Sequence, residues 1–319
     1  NDIKIIINWH LFDRFNYPQN DAIKKLGGIS VYLPISFHGF KSIDTLSKFD
    51  ISFCFSKFGA AIEKGSLCKM RYQIIVGYPR DYSIKLLKPE ARLLREKIKS
   101  FGAEKIICVL DENSRPDERW HTGHGLQQEN YKYILEEVIR NPKLGVIFKP
   151  KQSKTLAKRL GKELVAIMNE AEETGRCFIF RETGRFTTIA SPALAALASD
   201  VTIGCHMDSG TAALEAVLCG IPTILIDREG APFSLLANKL KAEKVIFQNW
   251  ENALSATLDY LNNPILFSDF GDWSNCIEEL DPFRDGLSAR RIGDFIQSLR
   301  DGFNNGLCRE EIMERACLV

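Results

Sequence analysis

From residue 105 onward the chain alternates short apolar runs with longer amphipathic stretches, and that rhythm restricts the fold more than any other feature. The runs at 105–110, 144–148, 177–180, 201–204, 223–226 and 244–247 are rich in β-branched residues and carry little charge, the pattern of strands buried on both faces. Helices are predicted between them at 125–140, 153–173, 210–219 and 232–241, with 251–261 closing the series. A further short, alanine-rich helix opens at Ser191-Pro192, a serine cap with proline at the first helical position. A strand followed by a crossover helix pairs in parallel with the next strand, and right-handed crossovers leave few arrangements. The prediction is an α/β fold with a six-stranded, doubly wound parallel sheet.

The first hundred residues follow the same rhythm less regularly. Strands are predicted at 3–7, 29–33, 51–55 and 73–76, separated by short helical or irregular segments such as 42–48 and 57–64. Gly77-Tyr78-Pro79 punctuates the last strand, and the charged stretch 85–99 reads as a linker helix. The expected organisation is an N-terminal α/β domain at 1–84, a linker helix within 85–104, a second α/β domain at 105–280 and C-terminal helices at 281–319. The chain opens on Asn1 and enters a strand pattern almost at once, as an excised portion of a longer protein would.

Composition narrows the choice of partner. Lys and Arg total 42 against 41 acids, a balance that predicts neither nucleic acid nor an acidic membrane as the main partner. The nine cysteines include no C-x-x-C pair, so buried thiols in a reducing cytoplasm are preferred to zinc ligands, and no metal is expected. The apolar run 217–226 is broken by Gly220 and Pro222, and nothing reads as a bilayer span. A P-loop and a G-x-G-x-x-G after the opening strand are both absent, which argues against a P-loop NTPase and a dinucleotide dehydrogenase; G-x-S-x-G is absent too.

Chemistry is expected where strands hand over to helices. Ser209-Gly210-Thr211 follows one strand and opens a helix, where unpaired backbone N–H groups and the helix dipole favour an anion and two hydroxyls can join them. Capping alone accounts for one hydroxyl. Glu215, one turn on in an otherwise apolar helix, either pairs with a basic residue or accepts from ribose hydroxyls. Lys149-Pro150-Lys151 ends another strand at the same sheet edge, so Lys149 and Lys151 are candidates for a phosphate group. His206 and Arg228 stand in similar positions. Asp111-Glu112-Asn113 follows the first strand of the second domain, with His121 and His124 in the same loop; His10 and Asp13 hold the matching place in the first domain. Asp111, Glu112 and His10 are the candidate catalytic residues, and spacing does not select among them.

On these residues the second half resembles the nucleotide-binding domain of GT-B glycosyltransferases, closest in kind to those of bacterial capsule and lipopolysaccharide synthesis. The matching pieces are Asp111-Glu112-Asn113, the segment 130–151 ending in Lys-Pro-Lys, Ser199-Asp200, Ser209-Gly210-Thr211 with Glu215-Ala216, the Gly220-Ile221-Pro222 turn and Asp281-Pro282-Phe283-Arg284-Asp285-Gly286. The resemblance implies two Rossmann-like domains of GT-B type, with a nucleotide-sugar donor on the second and a glycan or glycolipid acceptor on the first. The donor is expected to be a CMP-sugar, bound by Lys149, Lys151, His206, Ser209, Gly210, Thr211, Glu215 and Arg228 as substrate, without a cofactor. A cytoplasmic enzyme at the inner face of the inner membrane, held there through other synthesis proteins, is the implied setting. A CDP-polyol phosphotransferase, an epimerase-like enzyme and a non-catalytic scaffold of a synthesis complex are the alternatives.

Overall fold

The computed structural model describes residues 3–11, 15–37, 39–117, 123–181, 191–207, 210–228, 230 and 234–317. By internal contacts it divides into two units, Asn1–Ser83 with Cys276–Val319, and Ile84–Asn275.

The first unit is built on a four-stranded parallel sheet, β1 (Ile5–Asn8), β2 (Ile29–Tyr32), β3 (Lys48–Cys54) and β4 (Lys69–Ile75), in sequential order. Helix α1 (Asn16–Lys25) joins β1 to β2, and α2 (Lys57–Gly65), capped by the Ser56 hydroxyl, joins β3 to β4. Between β2 and β3 the described chain makes only a 3-10 turn at Ile43–Thr45. Helix α1 has little apolar periodicity to betray it in the sequence. Its buried residues are Ile23 and two asparagines, of which Asn20 donates to Lys48 O at 2.7 Å.

Helix α3 (Asp81–Lys99) starts in the first unit and runs into the second. The second unit holds β5 (Lys105–Leu110), α4 (His124–Arg140), β6 (Leu144–Lys149), α5 (Leu156–Glu173), β7 (Cys177–Ile179), α6 (Pro192–Leu197), β8 (Val201–Gly204), α7 (Gly210–Leu218), β9 (Thr223–Ile226), β10 (Ile246–Phe247) and α8 (Trp250–Asn262). Its six strands are parallel in the order β10-β9-β8-β5-β6-β7. Alternate residues of β5 explain why both faces are covered. Ile107 and Val109 join a core with Tyr131, Ile134 and Leu135 of α4, while Ile106 and Cys108 face Ala91 and Ile98 of α3 and Leu194 of α6. The segment read as a linker helix therefore shields one face of the sheet.

One predicted helix is corrected. Over the described part of 232–241 the chain forms a 3-10 turn at Ala237–Lys239, with Lys239 N bonded to Leu236 O at 2.9 Å and Leu240 N to Ala237 O at 3.2 Å. Leu240 is already extended, at φ −97° and ψ 147°, so the 3-10 turn does not continue into a helix, and a separate turn closed by Val245 N on Lys241 O at 2.9 Å leads to β10.

After α8 the chain returns to the first unit with α9 (Ile277–Leu280), α10 (Ser288–Asn304) and α11 (Arg309–Cys317). Leu299, Ile312 and Met313 share a core with Ile29, Val31, Ile51 and Phe53 of the sheet. The Asp281 to Gly286 loop closes on Gly77-Tyr78: Tyr78 N donates to Asp281 Oδ2 at 3.2 Å and Gly286 N to Asp81 Oδ2 at 2.9 Å. Gly77 sits at φ +86°, and a Cβ there would lie 3.0 Å from Asp281 Oδ1, so this junction requires glycine. No helix among the described residues is long and apolar enough to cross a membrane.

Candidate functional site

Loops beyond the carboxyl ends of a doubly wound sheet part where the winding reverses, and leave a crevice. In the second unit that point lies between β5 and β8. A cleft with an empty volume of about 250 Å³ lies there, lined by Glu112 and Ser114 after β5, by Gly123 and the α4 residues Leu126, Gln127 and Asn130, by Cys205 and His206 after β8, and by Arg228 after β9.

A buried polar cluster adjoins the cleft. Asp111 Oδ2 accepts from Gln127 Nε2 at 2.8 Å and from the Tyr131 hydroxyl at 2.9 Å, and Oδ1 accepts from the backbone N–H of Lys151. Gln127 Nε2 also donates to Glu112 O at 3.0 Å, while its Oε1 accepts from Ser114 and Arg159. Arg159 is 5% exposed and donates further to Ser114 Oγ at 3.2 Å, Gln152 O at 2.7 Å and Thr155 Oγ1 at 3.2 Å. His124 Nδ1 lies 2.7 Å from Ser114 Oγ. These bonds tie the loops after β5 and β6 to α4 and α5.

Asp111, expected to be catalytic, does not line the cleft. Both its oxygens are taken up inside the cluster, where it positions the backbone beneath Glu112. Burial pushes its pKa up to about 6, against the opposing pull of the Lys151 N–H, the Arg159 charge and the Tyr131 hydroxyl. In the unfolded chain the same carboxyl titrates near pH 4. Between about pH 4 and pH 6 the folded state therefore binds the extra proton, and Asp111 makes stability fall as pH rises through that window. Asp111→Asn should remove this fall. The donor clash of an amide shifts the variant's stability by a constant, while its difference from wild type should change by on the order of 1–3 kcal/mol across the window. Urea unfolding at several pH values measures it, and a pH-independent difference would contradict the assignment.

The other expected residues separate into groups. Glu112, His206 and Arg228 come together in the cleft. Arg228 Nη2 donates to Asn130 Oδ1 at 2.8 Å and lies 3.4 Å from Glu129, and Asn130 Oδ1 also accepts from Trp250 Nε1 at 2.8 Å. Lys151 Nζ pairs with Glu112 Oε2 at 2.6 Å. Lys149 is buried and donates to Pro150 O at 2.9 Å, away from the cleft lining. Gly210 is the buried first residue of α7, followed by the half-buried Thr211. Glu215 Oε2 accepts from Ser191 Oγ at 2.6 Å and from Ala193 N at 3.0 Å, so this carboxylate serves the start of α6. Ser209, Asp13 and His121 lie outside the described residues. Among the described residues no group of three or more His, Cys, Asp or Glu is placed to hold a metal ion.

The first unit has its own pocket beyond β2 and β3, with an empty volume of about 450 Å³, lined in part by Leu11, Tyr32, Phe37, Phe40, Phe55 and Glu63. Glu63 Oε2 accepts from Ser52 Oγ at 2.9 Å and Gln73 Nε2 at 3.0 Å, and burial raises the carboxyl's pKa. His10 is exposed and its carbonyl accepts from Asn16 Nδ2 at 2.5 Å; the pocket is lined by its neighbour Leu11 instead.

No protein-family model and no curated protein sequence matches the chain. Solved structures do match its fold. MnaA of S. aureus, in a co-structure with UDP, aligns with a TM-score of 0.57 at 13% identity, over 93% of this chain and 75% of that one. The UDP-GlcNAc 2-epimerase of Neisseria meningitidis bound to UDP-GlcNAc gives 0.54 at 10% identity, over 93% and 76%. A variant of the wall teichoic acid polymerase TagF soaked with CDPG gives 0.53 at 10% identity, over 90% and 68%. The chain has the fold of these proteins. Two parallel sheets with C-terminal helices are what the sequence predicted.

Proposed function

We propose that the chain binds a nucleoside-diphosphate-linked substrate in the cleft between β5 and β8 and acts on the group that the diphosphate carries. The observation that carries this reading is the convergence, at the winding reversal, of Glu112, His206 and Arg228 in a sheet whose next helix, α7, begins just beyond β8. The N–H groups of Gly210 and Thr211 with the α7 dipole receive phosphate oxygens, and Arg228 adds a fixed positive charge. A departing nucleoside diphosphate gains negative charge as its bond breaks, and pre-placed donors of this kind stabilise it most at that moment. Glu112, held by Lys151, is the carboxylate that faces the cleft and accepts from substrate hydroxyls.

The structural neighbours support a diphosphate nucleotide over the CMP-sugar that the sequence suggested, since UDP, UDP-GlcNAc and CDPG are the ligands named with them. Glycosyl transfer to a glycan acceptor is the leading reaction. The neighbouring epimerase favours a second reading, isomerisation of the sugar with no acceptor. The capsule or lipopolysaccharide setting, at the inner face of the inner membrane, rests on the sequence resemblance. Titration calorimetry with UDP, CDP and CMP should show either diphosphate binding at least tenfold more tightly than CMP. Absence of binding by all three at millimolar concentration would sink the proposal. Incubation with a nucleotide-sugar then separates the reactions: a transferase releases nucleotide when acceptor is added, and an epimerase yields an isomer without one.

A further inference from the structure

The largest cavity described in the first unit is at the end of the sheet away from the aromatic pocket. With an empty volume of about 1220 Å³, it is bounded by the amino-terminal ends of three strands: Ser30 of β2, Lys48 and Asp50 of β3, and Lys69 and Arg71 of β4. Lys24 and Lys64, from the last turns of α1 and α2, and Arg309, which opens α11, complete its charged lining. Six cationic side chains thus share the cavity with two acids, Asp21 and Asp50.

Internal pairing accounts for only part of that charge. Arg309 is buried and pairs with Asp50, and it also donates to Gly28 O at 2.9 Å and Glu310 Oε1 at 2.9 Å. Asp50 is fixed in turn by the N–H and hydroxyl of Ser30, at 2.9 and 3.0 Å. Lys48 lies 3.3 Å from Asp21, and Arg71 lies 4.0 Å from Glu310. Lys24, Lys64 and Lys69 are exposed and have no hydrogen-bond or ionic partner among the described residues. A lysine near a helix C-terminus complements the dipole, which gives Lys24 and Lys64 a local reason to be there. Each helix end supplies only about half a negative charge, however, so two of them offset about one unit of a surplus of three that remains once Glu310 is counted against the six cations and two acids.

We propose that this cavity is an anion site, distinct from the nucleotide cleft, for a ligand carrying two or more phosphoryl groups. The Arg309–Asp50 pair gives it a rigid floor, and long ammonium-bearing side chains ring it. Ammonium groups are compact point charges that suit phosphate oxygens, and several are needed to neutralise two phosphoryl groups. Phe49 and Met70 add apolar surface that suits the carbon skeleton of a phosphate ester. A soluble diphosphate and a diphosphorylated lipid headgroup share this chemistry.

The test uses the full chain at an ionic strength of about 50 mM, where surface charges are weakly screened. Inorganic pyrophosphate is titrated by calorimetry, and vesicles of cardiolipin in phosphatidylcholine are tested by co-sedimentation against phosphatidylcholine alone. Wild type should bind at least one probe, and Lys64→Glu with Lys69→Glu should weaken that binding at least tenfold with the melting temperature unchanged. Lys158→Glu with Lys162→Glu, which makes the same charge change at exposed positions on α5, should leave more than half of the affinity. Binding of pyrophosphate alone identifies a soluble ligand, and binding of vesicles alone identifies a headgroup. Failure of wild type to bind either probe, or equal loss in the Lys64/Lys69 and Lys158/Lys162 variants, would overturn the proposal.

Discussion

Replacing Arg159 by methionine should destabilise the second unit by about 2–4 kcal/mol, because the change strips charged donors from a largely buried polar cluster. The guanidinium is 5% exposed and serves Gln127, Ser114, Gln152 and Thr155 at once. Methionine fills much of the volume but leaves Gln152 O and Gln127 Oε1 short of a donor. It also removes the positive charge that helps Asp111 ionise, so the Asp111 pKa should climb above about 6. The two residues therefore share one energetic account. A double-mutant cycle with Asp111→Asn should show a coupling of about 1 kcal/mol or more, the double variant being more stable than the two single losses would sum to. Additive losses in urea unfolding would mean that Asp111 does not sense Arg159. The substitution should also weaken nucleotide binding, since Ser114 and Gln127 line the cleft that Arg159 holds in shape.

The sheet of the second unit was readable in the sequence because its strands are buried on both faces, which leaves uninterrupted apolar runs such as Ile106 to Leu110 between helices of clear amphipathic period. The same logic failed for α1, whose buried residues are mostly asparagines, and for the 3-10 turn at Ala237–Lys239, which ends where Leu240 turns extended. In the candidate site the sequence placed Glu112, His206 and Arg228 at strand ends, and the fold gathers them. It could not separate Asp111 from Glu112. Adjacent carboxylates have the same local chemistry, and only the tertiary contacts of Gln127 and Tyr131 decide which is buried. Glu215 was equally ambiguous in sequence, and its bonds to Ser191 and Ala193 at the start of α6 depend on tertiary contact that no spacing reveals. Arg159 carried no signal beyond an arginine in an amphipathic helix. Gln127, Asn130 and Tyr131 did carry one: they fall three and four residues apart on α4, on the stripe that continues to Ile134 and Leu135, so polar groups stand on a face that is otherwise core.

Arg228→Ala should raise the dissociation constant for UDP about 10- to 100-fold, the loss of charge-assisted hydrogen bonds from guanidinium to phosphate. The fold should tolerate the change. Arg228 stands at the cleft surface with its side chain 18% exposed, and its partner Asn130 Oδ1 keeps the Trp250 indole as a donor at 2.8 Å. The remaining contact, to Leu126 O at 3.5 Å, is long. Glu129 loses a partner 3.4 Å away, but its side chain is 41% exposed and water can take that place. Arg228→Lys keeps the charge and loses the planar fork, so it should fall between wild type and alanine if phosphate is held by two parallel bonds. The alanine defect should also shrink at high salt, because the lost attraction is partly screened there. Calorimetric titration of the three proteins at two salt concentrations gives all of these comparisons at once. Equal UDP affinity in wild type and Arg228→Ala, with unchanged melting temperature, would remove the diphosphate from this cleft. In that case α7 and Arg228 would have only a structural role at the edge of the sheet.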